Sequence, residues 1–188
     1  MRSIYKIVVC SLLTLSITSC EKDLLEKEQY QKEIYLIGAY NRVWTTEVSY
    51  SNEEVKTYFT VSSSGTLALD RDVNVKMKIN EELVDIYNKK YWTVLNEDKY
   101  YKSLDTDLYS IPSLENTVIK HAEGISTEVP VLIKTASLKI DQSYVIPVEI
   151  ESTTGYPVST SGYKMLVLLK LKNEYSGSYQ MSGHTTLE

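Results

Sequence analysis

The sequence predicts an all-β domain, in the main an antiparallel β-sandwich, with one short crossover helix. Three observations carry that expectation. Val73–Ile79 reads Val-Asn-Val-Lys-Met-Lys-Ile, apolar at every second place, which is the period of a half-buried strand. Seven such short segments follow one another with turn signals between them. The aromatic residues are 16 Tyr and 2 Trp against a single Phe, and strands favour tyrosine, a ring with a polar tip.

The segments run in this order. Ile34–Ile37 ends at Gly38. Val55–Val61 runs into the turn Ser62-Ser63-Ser64-Gly65. After Val73–Ile79 come Thr117–Lys120, Glu128–Lys134 and Tyr144–Ile150. Tyr163–Leu171 is apolar over most of its length, so it is expected to be covered on both faces. Pro130 and Pro147 lack an N–H and should each face an edge or a bulge. One helix interrupts the pattern. Asn80 can cap it, Glu81 and Glu82 suit its first turn, and Leu83, Ile86 and Tyr87 share a face. It is expected to end near Asn88 and to plug one end of the sandwich.

The N-terminus carries a different signal. Arg2 and Lys6 precede an apolar stretch from Ile7 to Ile17, and no acid occurs before Glu21. That is the pattern of a secretory signal, and it is shorter than the roughly 20 residues of a membrane-spanning helix. It ends Ile17-Thr18-Ser19-Cys20, which resembles the lipobox of bacterial lipoproteins. Residues 1–19 are therefore expected to be removed and Cys20 to be acylated, anchoring the protein to the outer membrane, exposed at the cell surface. Residues 20–32 are charged and read as a flexible tether. Glu21 and Asp23 resemble the surface-export signal of Bacteroidetes lipoproteins, or they are simply a solvated linker.

Composition narrows the chemistry. Cleavage removes two basic residues and no acid, so the formal charge falls by two from −5. An acidic chain argues against nucleic acid as a partner. Of the two cysteines, Cys10 leaves with the signal and Cys20 takes lipid, so no thiol remains for a disulfide, a nucleophile or a metal. His121 and His184 stand far apart with no cysteine beside them. Asp70 and Asp72, and Asp105 and Asp107, alternate as calcium ligands can, but no glycine-bearing loop surrounds either pair. No Gly-x-Ser-x-Gly turn or phosphate loop occurs. No catalytic residue, metal ligand or cofactor site is expected.

Ile34-Tyr35-Leu36, the alternating Asp72–Ile79 strand, the helix ending Tyr87-Asn88, Tyr100-Tyr101, the Val118–Gly124 turn and Tyr144-Val145-Ile146-Pro147-Val148 resemble the Bacteroidetes family called domain of unknown function 1735. The resemblance spans 33–172. It implies an immunoglobulin-like sandwich at the N-terminus of surface lipoproteins of glycan-uptake systems, a domain that also precedes the catalytic barrel of some family-18 endo-glycosidases. It implies no catalytic residue. Family members commonly have Leu-Pro after the helix, whereas here Asn96 follows Leu95, so that loop is expected to differ. Residues 173–188 look like the start of a second domain cut short, or a disordered tail.

Two aromatic clusters are the candidate binding surface. Tyr40 and Trp44 lie in a polar segment, and Tyr91, Trp92, Tyr100 and Tyr101 flank the polar loop Asn96–Lys99. Sugars lay their C–H faces on such rings while polar neighbours take the hydroxyls; the rings could equally cap the sandwich. The function expected is that of a non-catalytic, glycan-binding or scaffold lipoprotein of a polysaccharide-utilisation system. Its partners would be the membrane through Cys20, a polysaccharide or oligosaccharide, and other glycan-uptake proteins. The alternatives are an appendage of a glycoside hydrolase, or an adhesin or pilus-type protein working by strand addition.

Overall fold

A computed structural model describes residues 27–92, 94–173, 175, 180, 182 and 183. The export signal, Cys20, His184 and most of 173–188 lie outside the described residues.

Two sheets face each other. The first holds β1 (Ile34–Leu36), β3 (Glu54–Ser63), β8 (Ser126–Lys134) and β6 (Tyr109–Ser110), neighbours in that order and all antiparallel. The second holds β2 (Val43–Ser49), β10 (Lys164–Lys172), β9 (Tyr144–Thr153), β4 (Val73–Ile79) and β7 (Thr117–Ile119), with β5 (Lys102–Ser103) beside the start of β9. The seven expected segments are β1, β3, β4, β7, β8, β9 and β10. Alternation decides which side chains go inward. Val73, Val75 and Met77 of β4 are buried and Asn74, Lys76 and Lys78 are exposed. They meet Phe59 and Val61 of β3 and Val129, Val131 and Ile133 of β8 in one core. Each such side chain stabilises the fold by roughly 1.5–3 kcal/mol.

Strictly antiparallel pairing needs a correction. β2 runs parallel to β10, with Val43 opposite Leu166 and Ser49 opposite Lys172, and β5 runs parallel to β9. β2 reads as a polar loop in the sequence because only Val48 in it is buried. As an edge strand it needs one apolar contact and β-branched residues (Val43, Thr45, Thr46), not full alternation. Pro147 lies inside the sheet, but at a gap along one side of β9. β5 pairs with Tyr144 and Val145, and β4 begins at Val148, so the missing N–H faces neither strand. On β8, β6 covers Leu132 and Ile133 alone, which leaves Pro130 at an uncovered margin.

The helix α1 (Glu82–Tyr91) is capped as expected but departs from expectation in its end, its position and its buried face. Its capping acceptor is Asn80, whose Oδ1 takes the Glu82 N–H at 3.2 Å. It runs on past Asn88 to Tyr91, because the chain turns extended only at Trp92 (φ −126, ψ 138). It does not plug an end. Leu83 and Val84 lie on Val145 and Leu166, on the outer face of β9 and β10. That explains the unbroken apolar run of β10: Met165, Val167 and Leu169 face the sandwich core, while Leu166 and Leu168 face α1. Ile86, expected on the buried face, is half exposed at 51%; the inward positions are Leu83, Val84 and Asn88.

Where the sequence suggests a free tether, the described part makes contacts. Glu28 accepts backbone N–H groups from Thr66 at 2.5 Å and Leu67 at 3.3 Å, and pairs with Lys32, which donates to the Leu67 carbonyl at 2.5 Å.

Candidate functional site

The site begins with the corner that leads into β2. Gly38 has φ 89, and a Cβ there would stand 2.6 Å from the Trp44 ring. Only glycine allows that ring to lie down on the backbone. Trp44 is consequently 37% exposed, one face given to packing. Tyr40, in the 3-10 turn Ala39–Asn41, is 69% exposed, its ring 6.4 Å from that of Tyr35. Tyr40, Arg42, Tyr163 and Lys164 border a hollow of 460 Å³.

The second cluster is built on the end of α1. Asn88 is 5% exposed. It accepts the Tyr101 N–H at 3.0 Å and donates to the Tyr101 carbonyl at 2.9 Å, which clamps the loop to the helix. Tyr101 then turns inward and stacks on Tyr87, centroids 5.2 Å apart and planes 11° apart. The Tyr91 ring lies 4.5 Å from that of Tyr87, tilted by 33°. Burial, reinforced by Tyr101 and Tyr91, pushes the Tyr87 hydroxyl up to about 12. Tyr91 is half exposed, and Trp92 and Tyr100 are half buried. With Lys89, Lys90 and Val94 they border an open hollow of 370 Å³.

The two clusters belong to one surface. A narrow apolar cleft beside α1, floored by Leu83 and Leu166, shares Arg42 and Lys164 with the Tyr40 hollow, and Lys90 and Tyr91 with the Trp92 hollow. The three together form a groove that follows α1 across the outer face of the second sheet. It brings Tyr40, Tyr91, Trp92 and Tyr100 together, with Tyr101 stacked on Tyr87. Trp44 borders none of the three hollows. By alternation along β2 it shares the face of Val48 in the core and not that of Val43 beside α1. Sequence reasoning missed Tyr87, Tyr163 and the cations Arg42, Lys90 and Lys164. For Tyr87 and Lys90 a signal existed in the i, i+4 spacing of Tyr87 with Tyr91 and of Ile86 with Lys90 on the helix.

The first aspartate pair is engaged otherwise. Asp70 binds Arg71 at 2.8 Å and also the Tyr156 hydroxyl. Asp72 accepts from the His121 ring at 2.6 Å, and that contact is the chief cause that lowers its carboxyl from the usual range. Among the described residues no group of three or more potential ligands could hold a metal.

Two facing sheets, one of them covered on its outer side by a helix that borders an aromatic groove, define a β-sandwich module with its chemistry on its surface. A family model described as a "-like, N-terminal domain" matches residues 30–157. The chain belongs to that family of N-terminal domains, the DUF1735 type. No curated protein matches it. A Bacteroides ovatus multidomain protein including DUF1735 is 20% identical, with a TM-score of 0.56 over 73% of this chain and 43% of that one. A candidate carbohydrate-binding protein from Bacteroides ovatus is 19% identical, with a TM-score of 0.56 over 73% of this chain and 36% of its own. EndoBT-3987 of Bacteroides thetaiotaomicron, solved with a Man5GlcNAc product, is 18% identical, with a TM-score of 0.53 over 73% of this chain and 30% of its own. This chain spans less than half the length of each of the three.

Proposed function

We propose that this domain is a non-catalytic glycan-binding or scaffold module of a lipoprotein anchored through Cys20 to the outer membrane and displayed at the cell surface, within a polysaccharide-utilisation system. The observation that carries the reading is the groove along α1, where exposed rings from two distant segments line one open surface. Such rings supply apolar area at fixed geometry, and the lysines and backbone between them take hydroxyls. Its likeness to a candidate carbohydrate-binding protein supports the same reading. The test is affinity electrophoresis of the full chain through gels that contain candidate polysaccharides, with Trp92→Ala beside wild type. Retarded wild type and unretarded, still-folded mutant are the expected result. Equal mobility of the two in every retarding gel would remove the groove from the account.

A second reading is favoured by the likeness to EndoBT-3987. The sandwich would then orient a catalytic domain of the same polypeptide, and an open reading frame that continues past Glu188 into a barrel would support it. The anchor has its own test. Cys20→Ala should lose lipid label and become soluble on fractionation, and a fully labelled mutant would refute acylation at that residue.

A further inference from the structure

The groove differs from the rest of the surface in its charge. Elsewhere several described cations pair with acids: Lys76 with Glu151, Lys78 with Glu149, Lys170 and Lys172 with Glu47, Lys120 with Glu123, and Arg71 with Asp70, while Lys56 lies over the Tyr58 ring at 5.0 Å and Lys134 donates to the Asp107 carbonyl. Along the groove the lysines rest on rings, and among the described residues none of them pairs with an acid. Lys164 Nζ stands 4.8 Å from the Tyr163 centroid, Lys90 Nζ 5.1 Å from that of Tyr91, and Lys99 Nζ 5.6 Å from that of Trp92. Among the described residues no carboxylate borders any of the three hollows. Asp85 lies about 200° around α1 from Leu83 and about 140° from Lys90. A chain of formal charge −5 thus keeps a strip of unneutralised cations along one groove.

Arg42 strengthens the point. It is the one non-glycine residue with positive φ (62°) among the described residues. Left-handed backbone is uncommon for a residue with a Cβ and is easiest for glycine or asparagine. Its carbonyl accepts the Leu166 N–H at 2.8 Å, which holds the backbone where its side chain borders two hollows. The backbone gains nothing from an arginine at this corner. A planar fork of donors, which binds carboxylate or sulfate oxygens two at a time, is what the side chain adds.

We infer that the groove along α1 accepts an acidic glycan, one whose sugars carry carboxylate or sulfate groups. The inference rests on the glycan-binding reading above and narrows it to a class of ligand. Rings would seat the sugar faces, and Arg42, Lys90 and Lys164 would meet the oxyanions. The contacts are solvent-exposed, so added salt should weaken them.

The experiment is affinity electrophoresis of the full chain in gels of polygalacturonate, dextran sulfate, neutral dextran and neutral mannan, at low and raised ionic strength. The variants are Arg42→Gln/Lys164→Gln and the control Lys56→Gln/Lys134→Gln, which makes the same change of charge on the outer face of the first sheet. Thermal melts check folding. Retardation by either acidic polymer, weakened by salt, cut about tenfold in affinity by the groove pair and kept by the control pair supports the inference. Which of the two polymers retards the chain tells uronate from sulfate. Retardation by neutral polymers alone would overturn it and leave the glycan-binding reading standing. Equal loss in both double variants would overturn it by reducing the effect to net charge. Stronger binding of a single-stranded oligonucleotide through the same cations would overturn it too, and no retardation in any gel would overturn both readings.

Discussion

The interior between the sheets and the groove outside them are built from the same kinds of segment, yet they obey different rules. In the interior, β4 offers Val73, Val75 and Met77 at strict alternation, each almost wholly buried. In the groove, Tyr40, Arg42, Tyr91, Trp92, Tyr100 and Lys164 come from a turn, a strand start, a helix end and a loop. The interior is specified locally and is intolerant of charge. The groove is specified by the register of β2 against β10 and by the placement of α1, and most of its side chains contribute little to folding. A substitution should therefore affect stability or binding according to the region it falls in.

The largest expected effect is in the interior. Val75→Asp or Met77→Asp places an unpaired carboxylate at a site with almost no exposure. The cost is several kcal/mol, comparable with the whole stability of a domain, and circular dichroism should find both proteins unfolded. Lys76→Asp, one position away on the exposed side of β4, should leave the melt nearly unchanged. Three equal melts would break the distinction at its root.

Next come two residues that join the regions. Gly38→Ala must strain a backbone at φ 89 and push the Trp44 ring aside, which should lower stability by roughly 1–3 kcal/mol. Asn88→Ala removes both hydrogen bonds to Tyr101 from a buried position, with a loss of about 1–3 kcal/mol. Amide exchange should then show residues 94–101 opened while β3 and β8 stay protected. Uniform exchange across both regions would mean that the groove loop and the core unfold as one unit.

The smallest effect concerns acid. Hydrogen bonds from Lys32, Thr66 and Leu67 lower the Glu28 carboxyl from 4.5 to about 2. A depressed carboxyl adds stability that is complete above pH 4.5 and fades as pH falls through about 2. The melting difference between wild type and Glu28→Gln should thus be small at neutral pH and vanish toward pH 2. A difference that grew on acidification would contradict the contact.

What could be read in advance follows the same division. The β4 alternation and the apolar run of β10 are local patterns, and burial matches them residue by residue. β2 was hidden because an edge strand needs only Val48 inside. The position of α1 was hidden because Leu83 and Val84 would have suited the end of the sandwich as well as its outer face. Within the site, Tyr40, Tyr91, Trp92 and Tyr100 stood out as rings in polar company. Arg42 and Lys164 did not, because a cation acquires meaning only when parallel pairing of β2 with β10 sets Val43 opposite Leu166 and brings the two side chains to one hollow.

The central claim is that the groove binds and the core folds, and that the two can be separated. Isothermal titration of wild type and Tyr40→Ala/Tyr91→Ala with a polysaccharide that retards the wild type tests it most directly, with melts run on the same samples. Loss of exposed rings that anchor a ligand can cost 2 kcal/mol or more, so affinity should fall about thirty-fold while the melting temperature stays within a few degrees. Unchanged affinity in the folded mutant, or a loss of affinity that merely tracks unfolding, would contradict the account.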